Sequence, residues 1–172
     1  SVKQLGQGYD IVPVYVELLS DIRTPISVLK ALKKVSAHTF LLESADNTHH
    51  WGRYSFLGYN PLLEVTCKNH TMTIKGDMTR TFTCHNPAEE IRNILSQYKS
   101  PRVEELPTFT GGFVGYFAYE YIRYIEPILD QHISDTDPSM VNDVDLMLFD
   151  KVIAFDHYKN KIYIIGHVRT DD

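Results

Sequence analysis

The fold class of this chain is decided by residues 54–83, which read YSFLGYNPLLEVTCKNHTMTIKGDMTRTFT. Four runs in this stretch are rich in β-branched and aromatic residues, and polar pairs such as Asn69-His70 and Gly76-Asp77 separate them. Short runs joined by tight turns are typical of antiparallel strands. We therefore predict an antiparallel meander, with strands over residues 54–58, 63–68, 71–75 and 79–83.

Further strands are predicted on both sides of this meander. The first contains Pro13, which cannot donate a ladder hydrogen bond and so confines the strand to a sheet edge or to the start of pairing. The second is an apolar run that ends where the polar pair Glu43-Ser44 begins. A third begins at Gly111-Gly112, and the last two flank a hairpin turn. The predicted ranges are 11–18, 39–42, 111–117, 146–155 and 161–168.

Two helices are predicted from their capping residues. Thr24-Pro25 opens the first, and apolar residues then recur at helical spacing to about Val35. Asn86-Pro87 opens the second, which runs to about residue 99, and Glu89 stands where it could close a capping box. Both helices are amphipathic and are expected to cover a sheet.

The remaining segments complete the fold prediction. A short aromatic helix is expected over residues 119–124, closed by Pro127, and the polar, acidic stretch 131–143 is expected to form a surface loop or to be partly disordered. Many short antiparallel strands with few helices indicate an α+β fold, an antiparallel sheet or sandwich with covering helices. The length of the chain favours one domain over residues 1–172.

Composition and charge exclude several classes of protein. The chain has 172 residues, 43% of them hydrophobic, and a formal net charge of −5. Its lysines and arginines are scattered, so we expect no nucleic-acid partner. No apolar run approaches the roughly 18 residues that span a bilayer, and residues 1–10 lack a signal pattern, so we expect a cytoplasmic protein without membrane contact. Cys67 and Cys84 are expected to be reduced thiols.

Three groups of residues could carry chemistry, although a structural interpretation is stronger for each. The glycines of 111–115 lack the lysine and hydroxyl residue of a phosphate loop, so close backbone approach in a bent strand explains them better. His49-His50 lack a spaced partner for zinc and are expected to be solvated. The carboxylates of Glu120, Glu126 and Asp130 are expected to form a solvated face rather than an acid–base pair.

The pair Glu43-Ser44 differs from these groups because it stands at the end of an apolar strand. A strand end can carry side chains into a cleft while the strand itself holds them rigidly. The same pair is also typical of a turn start. Both interpretations stay open from the residues alone.

Three sequence blocks resemble a known family. Leu41-Leu42-Glu43-Ser44-Ala45 and Gly52-Arg53-Tyr54-Ser55-Phe56-Leu57-Gly58 are similar to the N-terminal region of anthranilate synthase component I, and the block GGFVGYFAYE, residues 111–120, agrees in order and spacing. The resemblance covers nearly the whole chain. It implies the fold of the N-terminal part of that family and a single tryptophan-sensing domain over residues 1–172.

The resemblance implies an activity that resides elsewhere. Members of this family are lyases that convert chorismate, with Mg²⁺ and ammonia from a glutamine amidotransferase subunit, into anthranilate and pyruvate. Their chorismate-binding and metal-binding motifs lie in a C-terminal domain that residues 1–172 do not contain. We therefore expect no catalytic residues and no cofactor in this chain, and no turnover of chorismate by it alone.

The resemblance also implies a feedback site for L-tryptophan. The positions that match are Leu42, Glu43 and Ser44, with Arg53 as a further candidate. Leu42 would face the indole, Glu43 or its carbonyl would accept from the ammonium, and Ser44 would pair with a polar group of the ligand. Arg53 would either hold the ligand carboxylate or form an ordinary ion pair at a strand start.

Two other interpretations stay open at this stage. One is the related large subunit of aminodeoxychorismate synthase, although the complete first two blocks favour the anthranilate branch. The other is a stand-alone amino-acid-binding module with no enzyme attached.

Overall fold

The structure is a computed structural model that describes residues 7–43, 52–130 and 141–171. The chain splits into two compact units, and each contains one five-stranded, mostly antiparallel sheet. The predicted fold class, antiparallel sheet with few helices, is confirmed. The division into two units does not test the single domain predicted over residues 1–172, which stays a prediction. The first unit comprises Ser1–Pro61, Gln97–Gly112 and Phe149–Asp172, and the second comprises Leu62–Ser96 and Phe113–Leu148.

The first unit is a sheet with one helix. Its first strand lies at an edge, as the proline at position 13 predicts, because an edge strand can leave one backbone position without a ladder donor. Helix α1 (Pro25–Leu32) begins at Thr24, whose hydroxyl accepts from the Ser27 amide at 3.2 Å. In spatial order the strands are β1 (Ile11–Leu19), β10 (Lys161–Arg169), β9 (Val152–Asp156), β3 (Tyr54–Tyr59) and β2 (Thr39–Glu43).

Both faces of this sheet bury apolar side chains. On one face α1 packs over a cluster that includes Leu57, Phe155 and Ile162. On the other face the connection Gln97–Gly112 supplies Leu106, which packs with Tyr163 and other residues of β9 and β10. Since β3 and β9 are covered on both sides, they form the centre of the unit.

The second unit is built around the meander. Its core includes Val65, Met72 and both cysteines, which are free and buried, as expected for reduced thiols. Burial raises the pKa of the Cys67 thiol, and a hydrogen bond to Tyr124 lowers it by a smaller amount, so the pKa is about 11. The strands in spatial order are β6 (Thr79–Thr83), β5 (Thr71–Lys75), β4 (Leu63–Lys68), β8 (Val144–Phe149) and β7 (Gly112–Phe117). The helices are α2 (Pro87–Leu95), a 3₁₀ helix (Tyr119–Tyr124) and α3 (Pro127–Asp130).

The predicted meander is correct for three strands and wrong for the first. β4, β5 and β6 pair in sequence, whereas β3 lies in the other sheet between β2 and β9. The pair Asn60-Pro61 correctly marks a turn, but a turn does not specify the sheet to which the next strand belongs. Pairing partners depend on contacts distant in sequence, which local patterns do not encode.

The single strand predicted over residues 146–155 is also wrong. Asp150 and Lys151 interrupt the predicted strand and separate β8 from β9. These two strands belong to different sheets. Every residue of β9 is buried, and its first four residues are apolar and do not alternate with polar ones. The charged pair Asp150-Lys151 separates two apolar runs and marks the boundary between the strands, but it does not show that the two strands belong to different sheets.

The helices are shorter than predicted. α2 ends four residues early, where the Ser96 hydroxyl donates to the Asn93 carbonyl at 2.7 Å. At its start the Asn86 side chain accepts from the Glu89 amide, but the Glu89 carboxylate accepts from the Asn86 side-chain amide instead of completing a capping box. α1 ends at Leu32, and its chain continues in tight turns.

Two predictions in the connection after β7 need correction. Pro127 begins α3 rather than only closing the aromatic helix, which ends at Tyr124. Asp143 is buried, not part of a surface loop, and its carboxylate accepts from the Tyr124 hydroxyl at 2.7 Å and from the Asn69 amide at 3.0 Å. Residues 131–140 lie outside the described ranges. Among the described residues, no helix is long and apolar enough to cross a membrane.

Gly115 in β7 confirms the interpretation of the glycine block as a site of close backbone approach. Its φ is +156°, and a Cβ at this position would collide with the Asp145 carbonyl oxygen. We expect Gly115→Ala to destabilise the chain by at least about 2 kcal/mol, because backbone would have to move. Chemical denaturation followed by circular dichroism would measure this change.

Gly166 provides the matched control for that prediction. It lies in β10, and a Cβ there meets no heavy atom within 4 Å. Gly166→Ala should be neutral or stabilise by up to about 1 kcal/mol, since alanine restricts the unfolded chain. Equal effects at the two glycines would contradict the role given to Gly115.

Candidate ligand site at the end of strand β2

The predicted site residues lie at and near the end of β2, an edge strand of the first unit. β2 pairs with β3 so that Leu42 stands opposite Phe56 and Glu43 stands opposite Ser55. Both Leu42 and Glu43 are exposed. Ser44 lies outside the described residues, as do the predicted loop histidines at positions 49 and 50. The structure therefore places two of the four predicted site residues on this strand end.

Leu42 and Glu43 point to opposite faces of the sheet, because successive side chains alternate along a strand. Leu42 lies on the face of its partner Phe56, and Glu43 lies on the face of its partner Ser55. Ser55 shares its face with Leu57, which packs under α1. The side chains of Leu42 and Glu43 thus do not line one surface together.

The face that carries Leu42 is an aromatic surface. The Phe56 ring lies 5.7 Å from the Tyr54 ring and 5.4 Å from the Phe109 ring, centroid to centroid. Phe40 contacts both Phe109 and Phe149 through edge-on ring packing, with centroids 6.3 and 4.8 Å away. Tyr54 and Phe56 are two positions apart in the sequence and so share a face of the strand, but only the fold shows that the other aromatic rings gather there.

Arg53 forms an ion pair with Asp156, which sequence analysis did not identify as a site residue. Its Nη2 donates to Oδ2 at 2.7 Å and its Nε donates to Oδ1 at 3.1 Å. The Arg53 side chain is 36% exposed, whereas that of Asp156 is fully buried. The guanidinium also lies 4.8 Å from the centroid of the Tyr54 ring. Of the two roles considered for Arg53, the ion pair is present in the structure.

Asp156 joins β3 to the hairpin between β9 and β10. Its Oδ1 accepts from the backbone amides of Tyr158 and Lys159 at 3.1 and 3.0 Å. Burial on its own would raise the pKa of this carboxyl, but hydrogen bonds from Arg53 and from these two amides outweigh it and hold the pKa below its ordinary value. The hydrogen bond to Asp156 likewise raises the pKa of Arg53. The pair is therefore ionised at neutral pH.

On the opposite face, three polar side chains form a hydrogen-bonded chain. The Ser55 hydroxyl donates to Glu43 Oε1 at 3.3 Å and contacts His157 Nε2 at 2.7 Å. Ser55 is buried, whereas Glu43 and His157 are exposed. Neither Ser55 nor His157 has a local sequence signal for this contact, because the pairing of β3 with β9 brings them together.

Two other kinds of site were considered in the described part of the chain, a cavity and a metal site. A cavity of about 210 Å³ is lined by residues between Ser100 and Thr110, and neither Leu42, Glu43 nor Arg53 lines it. No group of three histidine, cysteine or acidic residues within the described ranges could hold a metal ion.

Comparison with known proteins finds relatives that match nearly the whole chain. No protein-family model matches the sequence. Anthranilate synthase component 1 of Acinetobacter calcoaceticus is 39% identical over 171 residues, which is 96% of this chain and 34% of that protein. The chain is homologous to the N-terminal part of anthranilate synthase component I. It spans about a third of the length of the curated relatives it matches.

Plant and structural relatives agree with this homology. The chloroplastic anthranilate synthase alpha subunit 2 of Oryza sativa is 33% identical over 96% of the chain and 29% of its own length. The crystal structure of anthranilate synthase component I from Streptococcus pneumoniae superposes with a TM-score of 0.55 at 26% identity, covering 89% of this chain and 32% of that one. The resemblance stated from the sequence blocks is thereby confirmed.

The Arg53–Asp156 pair should contribute measurably to stability. Asp156→Asn keeps an oxygen for the two hairpin amides but removes the charge that Arg53 binds, so we expect a loss of about 1.5–3 kcal/mol. Asp171→Asn is the control, because its ion pair with Arg169 is exposed and should leave the unfolding midpoint unchanged. Urea denaturation of both variants and of the unchanged chain would measure the difference.

The same variant tests the pH dependence. Because the pKa of Asp156 is lower in the folded chain than in the unfolded chain, its contribution is complete above about pH 4 and is lost as pH falls through the folded value. Asp156→Asn should therefore flatten the fall in stability below about pH 4. A parallel fall in both proteins would contradict the role given to this carboxyl.

Proposed function

We propose that this chain is the tryptophan-sensing N-terminal part of an anthranilate synthase large subunit, a lyase of tryptophan biosynthesis. The observation that carries the proposal is the 39% identity to anthranilate synthase component 1 across 96% of the chain. The exposed strand end that carries Leu42 and Glu43 supports the sensing role, since a ligand can reach it.

The proposed reaction belongs to the full-length protein. It converts chorismate, with ammonia or glutamine, into anthranilate and pyruvate. The partners would be a C-terminal chorismate-binding domain and a glutamine amidotransferase subunit, and the location would be the cytoplasm. Mg²⁺ would be held by the C-terminal domain of the full-length protein. By itself the chain would not turn over chorismate.

The strand end has chemistry that suits L-tryptophan. Leu42 and the aromatic rings around Phe56 offer an apolar wall for an indole. Arg53, on the Tyr54 ring, offers a cation near this wall that could also meet a ligand carboxylate. The Glu43 carbonyl would accept from the ligand ammonium, and the Ser44 hydroxyl would pair with a polar group.

Feedback inhibition requires tryptophan to bind one arrangement of the full-length protein better than another. An edge strand such as β2 can supply only part of a pocket, so the remaining wall would come from the rest of the polypeptide. Binding by this chain alone should therefore be weaker than binding by the full-length protein.

The sensing role is tested with Ser44→Ala in the full-length protein. A hydrogen bond to a charged ligand group contributes about 1.5–3 kcal/mol, so we expect L-tryptophan to bind roughly tenfold to a hundredfold more weakly. The dissociation constant measured by calorimetric titration and the tryptophan concentration that halves activity should increase by the same factor. Ser96→Ala, which changes only a helix cap in the second unit, is the control and should bind as the unchanged protein does. Equal affinities for Ser44→Ala and the control would remove Ser44 from the site.

The enzymatic assignment is tested by the product. The full-length protein, supplied with chorismate, Mg²⁺ and ammonia, should release fluorescent anthranilate and pyruvate, whereas residues 1–172 alone should consume no chorismate. Formation of aminodeoxychorismate would favour the related synthase instead. Absence of any chorismate turnover by the full-length protein would favour a stand-alone binding module.

A further inference from the structure

We infer that Ser55 and His157 are positioning residues for the end of β2, and that the Glu43 side chain is an anchor for this strand end rather than a ligand for the ammonium group. The inference rests on the proposed tryptophan site and names how that site is held in place. It follows from the hydrogen-bonded chain Glu43–Ser55–His157 on the face opposite Leu42.

The hydrogen count gives this chain of contacts a direction. A carboxylate only accepts, so the contact between Ser55 and Glu43 uses the single hydroxyl proton of Ser55. Ser55 Oγ must then accept from His157, whose Nε2 carries the proton at 2.7 Å. The order of donation therefore runs from His157 to Ser55 to Glu43.

His157 is itself held by the sheet. Its backbone amide donates to the Arg53 carbonyl at 2.9 Å, which extends the pairing of β3 with β9 by one step. Its ring stacks on the buried Phe155 ring with centroids 6.5 Å apart and planes 21° from parallel. Ser55 is only 3% exposed. The hydrogen bond to Glu43 thus comes from the buried Ser55, which His157 contacts in turn.

Glu43 is the last residue of β2, and among the strands that the structure describes β2 is an edge strand paired with β3. A strand end held on one side opens easily, and a ligand that needs it closed must supply the ordering free energy. Tying the Glu43 side chain to Ser55 keeps the strand end closed before the ligand arrives. The backbone carbonyl of Glu43 is then in place for the ammonium, while its carboxylate is occupied on the other face.

Glu43→Gln and Glu43→Ala separate an anchor from a charged ligand group. Glutamine keeps an oxygen that accepts from Ser55 but removes the negative charge, and alanine removes both. For an anchor, Glu43→Gln should bind L-tryptophan within about threefold of the unchanged protein, and Glu43→Ala should bind about threefold to tenfold more weakly. For a direct ion pair with the ammonium, the two variants should lose affinity equally.

Two substitutions of His157 test the hydrogen bond between His157 and Ser55. His157→Phe keeps an aromatic ring to stack on Phe155 but has no donor, whereas His157→Gln keeps an N–H donor. We expect His157→Phe and Ser55→Ala to weaken L-tryptophan binding about threefold to tenfold, and His157→Gln to restore most of the affinity. Since His157 is exposed, both of its variants should fold.

The experiment is calorimetric titration of the full-length protein and its five variants with L-tryptophan. If the unchanged protein does not bind L-tryptophan, the proposed function itself fails. If it binds, the inference is overturned by equal losses in the two Glu43 variants, or by His157→Phe binding as tightly as His157→Gln. Weak binding by Glu43→Ala and His157→Phe, together with near-normal binding by their glutamine counterparts, supports it.

Discussion

The first unit depends on the pairing of β3 with β9. This pairing joins residues about a hundred positions apart in the chain, as the 103-residue separation of Arg53 and Asp156 shows. It buries Leu57 and Phe155 under α1, and it places Ala154 in the cluster on the other face. Among the described strands β2 pairs with β3, and its side chains also pack against α1 and the Phe109 ring, so the geometry of the candidate site depends on this pairing together with those contacts.

Polar contacts secure the end of this pairing on both faces. The Arg53–Asp156 ion pair lies on the face of Tyr54, and the contact between Ser55 and His157 lies on the opposite face. Each contact joins the start of β3 to the end of β9 or to the residue that follows it. Asp156 and Ser55 are buried, and buried polar groups are costly unless paired, so the two contacts favour the register in which both residues find partners.

An amino-acid site at such a strand end combines two requirements. The ligand needs an exposed, partly apolar edge, which Leu42 and the nearby rings supply, and the backbone there needs to be ordered. In a β-strand these tasks fall naturally to adjacent residues, because one side chain faces the ligand while its neighbour is free to bind the scaffold. The different surroundings of Leu42 and Glu43 are consistent with this division.

The amino-acid sequence by itself determined most of the local structure. Turn pairs such as Asn69-His70, both with positive φ, and capping residues such as Thr24 act through neighbouring atoms, so their signals can be read from a few residues. The sequence blocks around Leu42 and Arg53 likewise carried the resemblance to the N-terminal part of anthranilate synthase component I. Only the tertiary structure decided that β3 leaves the meander, that residues 146–155 divide between two sheets, and that Ser55 meets His157. These outcomes depend on which distant strands pair, and that choice is made by the burial of both sheet faces together, a property that no short stretch of sequence contains.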